Sequence, residues 1–287
     1  MATPSSLLSF FSFLLTISSL ITIHTLSSPT DSFVFGGCTQ QKYAPNSPYQ
    51  SNLDSLLTSL VNSATYSSYN NFTVIGSSPQ DVVYGLFQCR GDLSMPDCAT
   101  CVARAVTQVG SLCPATCGGA VQMQGCFIKY DNSSFLGVED KNVVMKKCGP
   151  SVAFDSEAEI MGRRDAVMAG LMNAGGPFRV GGAGEVQGLA QCVGDLSLGQ
   201  CQDCLSEAIG RLKNNCGTAT YGDMYLGKCY ARYYIGGDHY YSNGHNDHKS
   251  GNGGEKIFAI IIGLLAGVAL LIIFFTFMRK AFEGNGK

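Results

Sequence analysis

Apolar and polar positions change period several times along this chain, and each change predicts an element. Leu53, Leu56, Leu57, Leu60, Val61 and Ala64 recur at helical spacing behind Ser51-Asn52, a pair suited to capping. Strand-like runs rich in β-branched and aromatic residues follow at 72–75 and 82–88. Cys98, Cys101, Val102, Ala105, Val106 and Val109 then share one helical face behind Ser94-x-x-Asp97, which has the spacing of a capping box. The alternating VQMQGCFIKY at 121–130 predicts a strand. The same order returns downstream: a helix over 158–172, a strand over 185–193, a box at Ser197-x-x-Gln200 and a strand over 225–234. The expected fold class is α+β, with a helix pair over an antiparallel sheet formed twice.

Two longer apolar runs lie outside this pattern. Residues 7–23 follow a small-polar start and precede a Ser/Thr-rich stretch, so 1–30 reads as a signal peptide, although no Lys or Arg precedes the run. The rival reading is an uncleaved signal anchor. Residues 257–278 carry no charge over 22 positions, and at about 1.5 Å each they span about 33 Å, the thickness of a bilayer core. Arg279 and Lys280 follow directly, which by the positive-inside rule puts 279–287 in the cytosol and predicts a type I single-pass protein. A tail of nine residues leaves no room for a kinase. The Gly-, Asn- and Ser-rich stretch 242–256 reads as a flexible stalk, and His239, His245 and His248 around it as solvated linker rather than a metal site.

The repeated order is a duplication. Cys89-x8-Cys98-x2-Cys101, Cys113 and Cys126 recur 103 residues later as Cys192-x8-Cys201-x2-Cys204, Cys216 and Cys229. Between 85–130 and 188–233, 15 of 46 positions are identical, including Gly91-Asp92-Leu93-Ser94 and Gly194-Asp195-Leu196-Ser197. A period of this length fits two tandem domains, 31–138 and 139–241, rather than a solenoid. Charged residues make up only 14% of the 287 and the net charge is −2, so no basic surface for nucleic acid is present.

Thirteen Cys behind a secretory start argue for an oxidising compartment and a disulfide framework. Cys38, Cys89, Cys98, Cys101, Cys113 and Cys126 serve the first repeat; Cys148, Cys192, Cys201, Cys204, Cys216 and Cys229 serve the second. Six Cys admit 15 pairings, and spacing does not choose among them. Cys98-x2-Cys101 with Cys113-x3-Cys117 has a zinc-ribbon look, but Thr220 stands where the second repeat would need its fourth ligand. Cys117 is the odd thiol, with a buried free thiol, an intermolecular bridge and competition with Cys113 all open.

Asn71-Phe-Thr73 and Asn132-Ser-Ser134 are N-glycosylation sequons. Gly182-x-Gly184-x-x-x-Gly188 is one residue off a dinucleotide fingerprint and reads as a glycine-rich turn between strands. Gly263-x-x-x-Gly267 is a small-residue face through which two membrane helices approach closely. There is no Ser/His/Asp set, paired-carboxylate site or HExxH spacing, so no enzyme, metal or cofactor is expected.

The doubled C-x8-C-x2-C spacing resembles the ginkbilobin-like (stress-antifungal) cysteine-rich domain of land plants. With one span and a stub tail, the chain from 31 to 287 resembles the plasmodesmata-located protein family. The resemblance implies a small sheet cradling two helices in each domain. It also implies the pairs Cys38–Cys113, Cys89–Cys98, Cys101–Cys126, Cys148–Cys216, Cys192–Cys201 and Cys204–Cys229, leaving Cys117 over. Single-domain ginkbilobin binds mannose through an Asn, an Arg and a Glu. Those places hold Thr39, Ala120 and Asp131 in the first domain, and Gly149, Asp223 and Tyr234 in the second. The guanidinium is gone from both, which argues against mannose at that constellation. Tyr230, Tyr233, Tyr234, Tyr240 and Tyr241 offer another sugar surface, or simply sheet packing and a domain contact.

The function implied is that of a non-enzymatic plasma-membrane protein at plasmodesmata. It would control cell-to-cell movement through partners that promote callose deposition, and dock viral movement proteins. The expected partners are lateral membrane proteins, including a second copy or a receptor kinase. The alternatives are a membrane-tethered wall-carbohydrate or antifungal lectin and a kinase co-receptor.

Overall fold

The computed structural model describes residues 29–153 and 157–236; residues 1–28 of the expected leader, and the stalk, span and tail expected from the sequence, lie outside the described residues, as do His239, Tyr240 and Tyr241. The first domain runs β1 (Phe33–Cys38), α1 (Pro48–Ser63), β2 (Tyr69–Val74), β3 (Val83–Cys89), α2 (Met95–Leu112), β4 (Gly118–Met123) and β5 (Cys126–Asp131). The second repeats it as β6 (Val143–Cys148), α3 (Glu157–Asn173), β7 (Phe178–Ala183), β8 (Val186–Cys192), α4 (Leu198–Cys216), β9 (Tyr221–Leu226) and β10 (Cys229–Ile235). Each domain forms a five-stranded antiparallel sheet, ordered β1-β4-β5-β3-β2 and β6-β9-β10-β8-β7, with its two helices packed on one face. This is the α+β class expected from the sequence.

Local chemistry explains most boundaries. α1 starts earlier than Ser51-Asn52 suggested, because Ser47 caps it and Pro48 takes the first turn, where its missing N–H costs nothing. Asn52 lies inside the helix, and its amide donates to the Asp81 carbonyl at 2.8 Å. Ser197 and Gln200 form a reciprocal capping box on α4. At α2 only half of the box forms: Ser94 accepts from the Asp97 N–H, and the shorter Asp97 side chain instead takes the Ser94 hydroxyl proton at 2.6 Å.

The single strand expected over 121–130 is a hairpin, β4 and β5, and 225–234 is the matching β9–β10 hairpin. Gln124-Gly125 and Gly227-Lys228 make two-residue turns, across which the inward positions change parity, from Val121 and Met123 to Cys126, Ile128 and Tyr130 in the first domain and from Met224 and Leu226 to Cys229, Ala231 and Tyr233 in the second. Gly182 lies in β7, Gly188 in β8 and Gly184 in the turn between them, where its φ of +59° favours glycine.

Helix side chains Leu53, Leu56, Leu60, Val102, Ala105 and Val109 pack on Phe87, Val121 and Ile128 to make the first core. Leu86, beside Phe87, is also 0% exposed, and so is Ala190 beside Leu189 at 1%. Successive strand residues point to opposite faces, so β3 and β8 are buried on both sides. The helices cover one side; the outer faces of the two sheets cover each other.

The domain begins with residues 29–31. Thr30 is buried, its carbonyl accepts the Gly125 N–H at 2.7 Å, and the buried Asp31 carboxylate pairs with Arg104 at 2.6 Å. Amino-terminal sequencing of the mature protein is therefore expected to begin at Thr30 or earlier. A start at Asp31 would contradict this packing, since it would leave an ammonium beside the buried pair.

Candidate functional site

The duplicated Gly-Asp-Leu-Ser segments join the domains to each other. A Cβ on Gly91 would lie 2.4 Å from the Phe178 ring, and one on Gly194 would lie 2.7 Å from the Tyr69 ring. Phe178 opens β7 and Tyr69 opens β2, so each glycine admits the first aromatic of the other domain's edge strand. This reciprocity makes the tandem an internal pseudo-dimer. Polar bonds fix its register: the Gln191 amide donates to the Cys89 carbonyl and the Gly194 N–H to the Gln88 side-chain oxygen, both at 2.9 Å. Arg232 donates to the Gln124 side chain at 2.6 Å.

The second residue of each segment anchors charge. Asp92 takes a bidentate guanidinium from Arg90, at 2.6 and 3.0 Å. Asp195 pairs instead with Lys228, which is only 2% exposed. The same Asp195 oxygen accepts the Gly137 N–H at 2.9 Å, and the Phe135 ring covers the Lys228 ammonium at 5.0 Å. Gly137 has a φ of +72°, the left-handed conformation that glycine tolerates. Phe135 and Gly137 belong to the connection between the sheets, which is thereby clamped onto the second domain. Burial pulls the Lys228 ammonium pKa down, and pairing with Asp195 opposes that shift.

Where the outer faces diverge they leave a cleft of about 110 Å³. One cross-strand row supplies each wall. In the first sheet it runs Phe35, Gln122, Phe127, Gln88; in the second, Tyr225, Tyr230, Gln191. Phe35 meets Tyr225 edge-on at 5.4 Å across the boundary, and Tyr225 stacks on Tyr230 at 4.9 Å. The next rung differs between the domains. In the second sheet Arg232 faces Asp223 and binds it at 2.6 Å; in the first, Lys129 faces Ala120.

The structure closes six disulfides, Cys38–Cys113, Cys89–Cys98, Cys101–Cys126, Cys148–Cys216, Cys192–Cys201 and Cys204–Cys229. Cys98, Cys101 and Cys113, the zinc-ribbon candidates, each bond a different partner sulfur, and no metal-ligating cluster occurs among the described residues. Cys117 is a free, buried thiol whose pKa burial pushes up, which makes it a poor nucleophile. Asn71 is exposed on edge strand β2, and Asn132 lies just past β5, bonded to Gln41 at 3.2 Å.

Of the sugar-site positions, Thr39 and Asp131 flank Gly118, while Ala120 lies on the cleft rim. Asp223 is engaged by Arg232, and Gly149 is pressed on Tyr221, so the second set presents no open donors. The tyrosines divide: Tyr233 is core and donates to the Ala219 carbonyl at 2.9 Å, whereas Tyr230 lines the cleft. Gly263 and Gly267 fall outside the described residues. Sequence reasoning missed Phe35, Gln88 and Lys129 as site residues; for Lys129 the available signal was the outward-facing half of VQMQGCFIKY, and for Phe35 and Gln88, in β1 and β3, there was none.

The family model described as salt stress response/antifungal matches residues 37–133 and 148–235. Plasmodesmata-located protein 7 of Arabidopsis thaliana is 65% identical over 264 residues, covering 92% of this chain and 88% of that protein. Plasmodesmata-located protein 6 of the same plant is 56% identical over 268 residues, covering 91% and 92%. The crystal structure of the tandem DUF26 ectodomain of the Arabidopsis thaliana cysteine-rich receptor-like protein PDLP5 superposes with a TM-score of 0.69 at 48% identity, over 72% of this chain and 100% of that one.

Proposed function

The chain belongs to the salt stress response/antifungal family, in its tandem form, and from that premise we propose that it is a non-enzymatic type I membrane protein of plasmodesmata that modulates cell-to-cell trafficking. The observation that carries this is the 65% identity to plasmodesmata-located protein 7 across 92% of the chain, a span that includes both cysteine repeats. The 22 uncharged residues at 257–278, followed by Arg279 and Lys280, support the membrane topology.

In this reading the leader is removed at or ahead of Thr30, slightly short of the 1–30 read from the sequence, the stalk 242–256 sets the ectodomain off the bilayer, and 279–287 faces the cytosol. The ectodomain acts by surface rather than by reaction: an aromatic cleft, clamped linker and engaged carboxylates offer recognition and no nucleophile. Lateral contacts, helped by Gly263 and Gly267, bring in partners that promote callose deposition, and the same exposed surfaces dock viral movement proteins. N-glycans at Asn71 and Asn132 complete the extracellular face. A C-terminal fluorescent fusion in plant cells is expected to give punctate wall labelling that coincides with a plasmodesmal marker. Uniform plasma-membrane fluorescence without puncta would overturn the assignment.

A further inference from the structure

At the rung beside the cleft row, the two halves of the pseudo-dimer differ in charge pairing, and the difference leaves a cation beside the cleft. Arg232 is matched by Asp223, but Ala120 at the equivalent position offers Lys129 nothing. No carboxylate among the described residues lies within ion-pair distance of Lys129; its ammonium rests only over the Phe135 ring, at 4.6 Å.

The other polar side chains of the cleft are engaged within the protein. Gln88 and Gln191 are bonded at both ends, one end within their own domain and one across to the other, and the Gln122 amide donates to the Met123 and Cys126 carbonyls. Arg90 is bound to Asp92, and Asp140 accepts twice from Asn142 at 3.0 and 2.9 Å. What remains for a ligand is aromatic surface, the one ammonium, and the second oxygen of Asp140 and the side-chain carbonyl of Gln122, which accept only.

We propose that this cleft binds a small aromatic carboxylate, its ring against Phe127 and Tyr230 and its carboxylate on the Lys129 ammonium. Size sets the limit: at about 110 Å³ the cleft is smaller than an engineered cavity of about 150 Å³ that binds benzene, so it takes no more than one six-membered ring, with the carboxylate at its open side. A single cation matches a single negative charge. A saccharide fits poorly, because its several hydroxyls would lose water and find the amides already bonded, leaving polar groups unpaired. Ala120 lines the cleft directly across the strand pair from Lys129, and its small side chain leaves the carboxylate room to reach the ammonium. The proposal stands on the ectodomain alone and is independent of where the protein localises.

The test uses the full chain in lipid nanodiscs, with saturation-transfer NMR and calorimetry on benzoate and 4-hydroxybenzoate, and with benzyl alcohol and glucuronate as comparison probes. Both aromatic carboxylates are expected to bind. Benzyl alcohol should bind about tenfold more weakly, the worth of one charge-assisted bond, and glucuronate should give no signal. Lys129→Gln should weaken benzoate about tenfold and leave benzyl alcohol unchanged. Ala120→Phe should abolish binding with an unaltered melting temperature. Absence of benzoate binding, indifference to Lys129→Gln, or glucuronate binding as well as benzoate would each overturn the proposal; so would undiminished benzoate binding in Ala120→Phe.

Discussion

Asp195→Ala is expected to lower the unfolding free energy by about 3–5 kcal/mol, the cost of leaving a buried charge without its partner. Lys228 is 2% exposed, Asp195 is its ion-pair partner, and the Phe135 ring closes the site from above. The same substitution removes the acceptor for the Gly137 N–H and so releases the clamped linker. Replacing both members, Asp195→Leu with Lys228→Met, should recover most of the loss, because two apolar side chains need no partner in a dry site. Urea denaturation of the full chain followed by far-ultraviolet circular dichroism measures both. A loss below about 1 kcal/mol in the single variant would mean that Lys228 reaches water and that the clamp is superficial.

The disulfides come next in size, and their order follows from the chain they close. Cys38–Cys113 spans 75 residues and Cys89–Cys98 only nine. Cys38→Ala with Cys113→Ala is therefore expected to destabilise by about 2–5 kcal/mol. Cys89→Ala with Cys98→Ala should cost about 2 kcal/mol less, the difference in loop entropy between the two closures. Each staple joins a strand to α2 or to Cys113, the residue that caps its C-terminus, and the core beneath it is small for a domain of about 100 residues, so the sulfur bridges carry a large share of the net stability. Equal losses from the two double variants would show that enthalpy at the bridges, and not the closed loop, sets their worth.

The fold was legible in the sequence wherever a face was half buried. The apolar stripe of Leu53 to Ala64 and the repeated cysteine spacing mark helices and domains because their inward residues differ sharply from their outward ones. β1 and β6 left no such mark: they are edge strands with exposed apolar residues, Phe33 in one and Val143 and Val144 in the other, so alternation fails. The hairpins were hidden for another reason: the apolar alternation resumes directly after each two-residue turn, and only its parity changes, from Val121 and Met123 to Cys126, Ile128 and Tyr130 in the first domain. The cleft was the least legible feature. Leu86 and Leu189 read as ordinary strand residues in a run that is apolar on both sides, and nothing local distinguishes burial under helices from burial under a second domain. The Gly-Asp-Leu-Ser repeat was visible as identity, but its role in admitting Phe178 and Tyr69 emerges only from the packing.

Transport is the property that most directly tests the function proposed for this chain. A diffusible fluorescent protein released in single epidermal cells, with this protein raised or removed, reports how many neighbouring cells it reaches. The account predicts that the number changes in opposite directions for raised and removed protein. An unchanged spread in both, with the protein present at wall puncta, would contradict it.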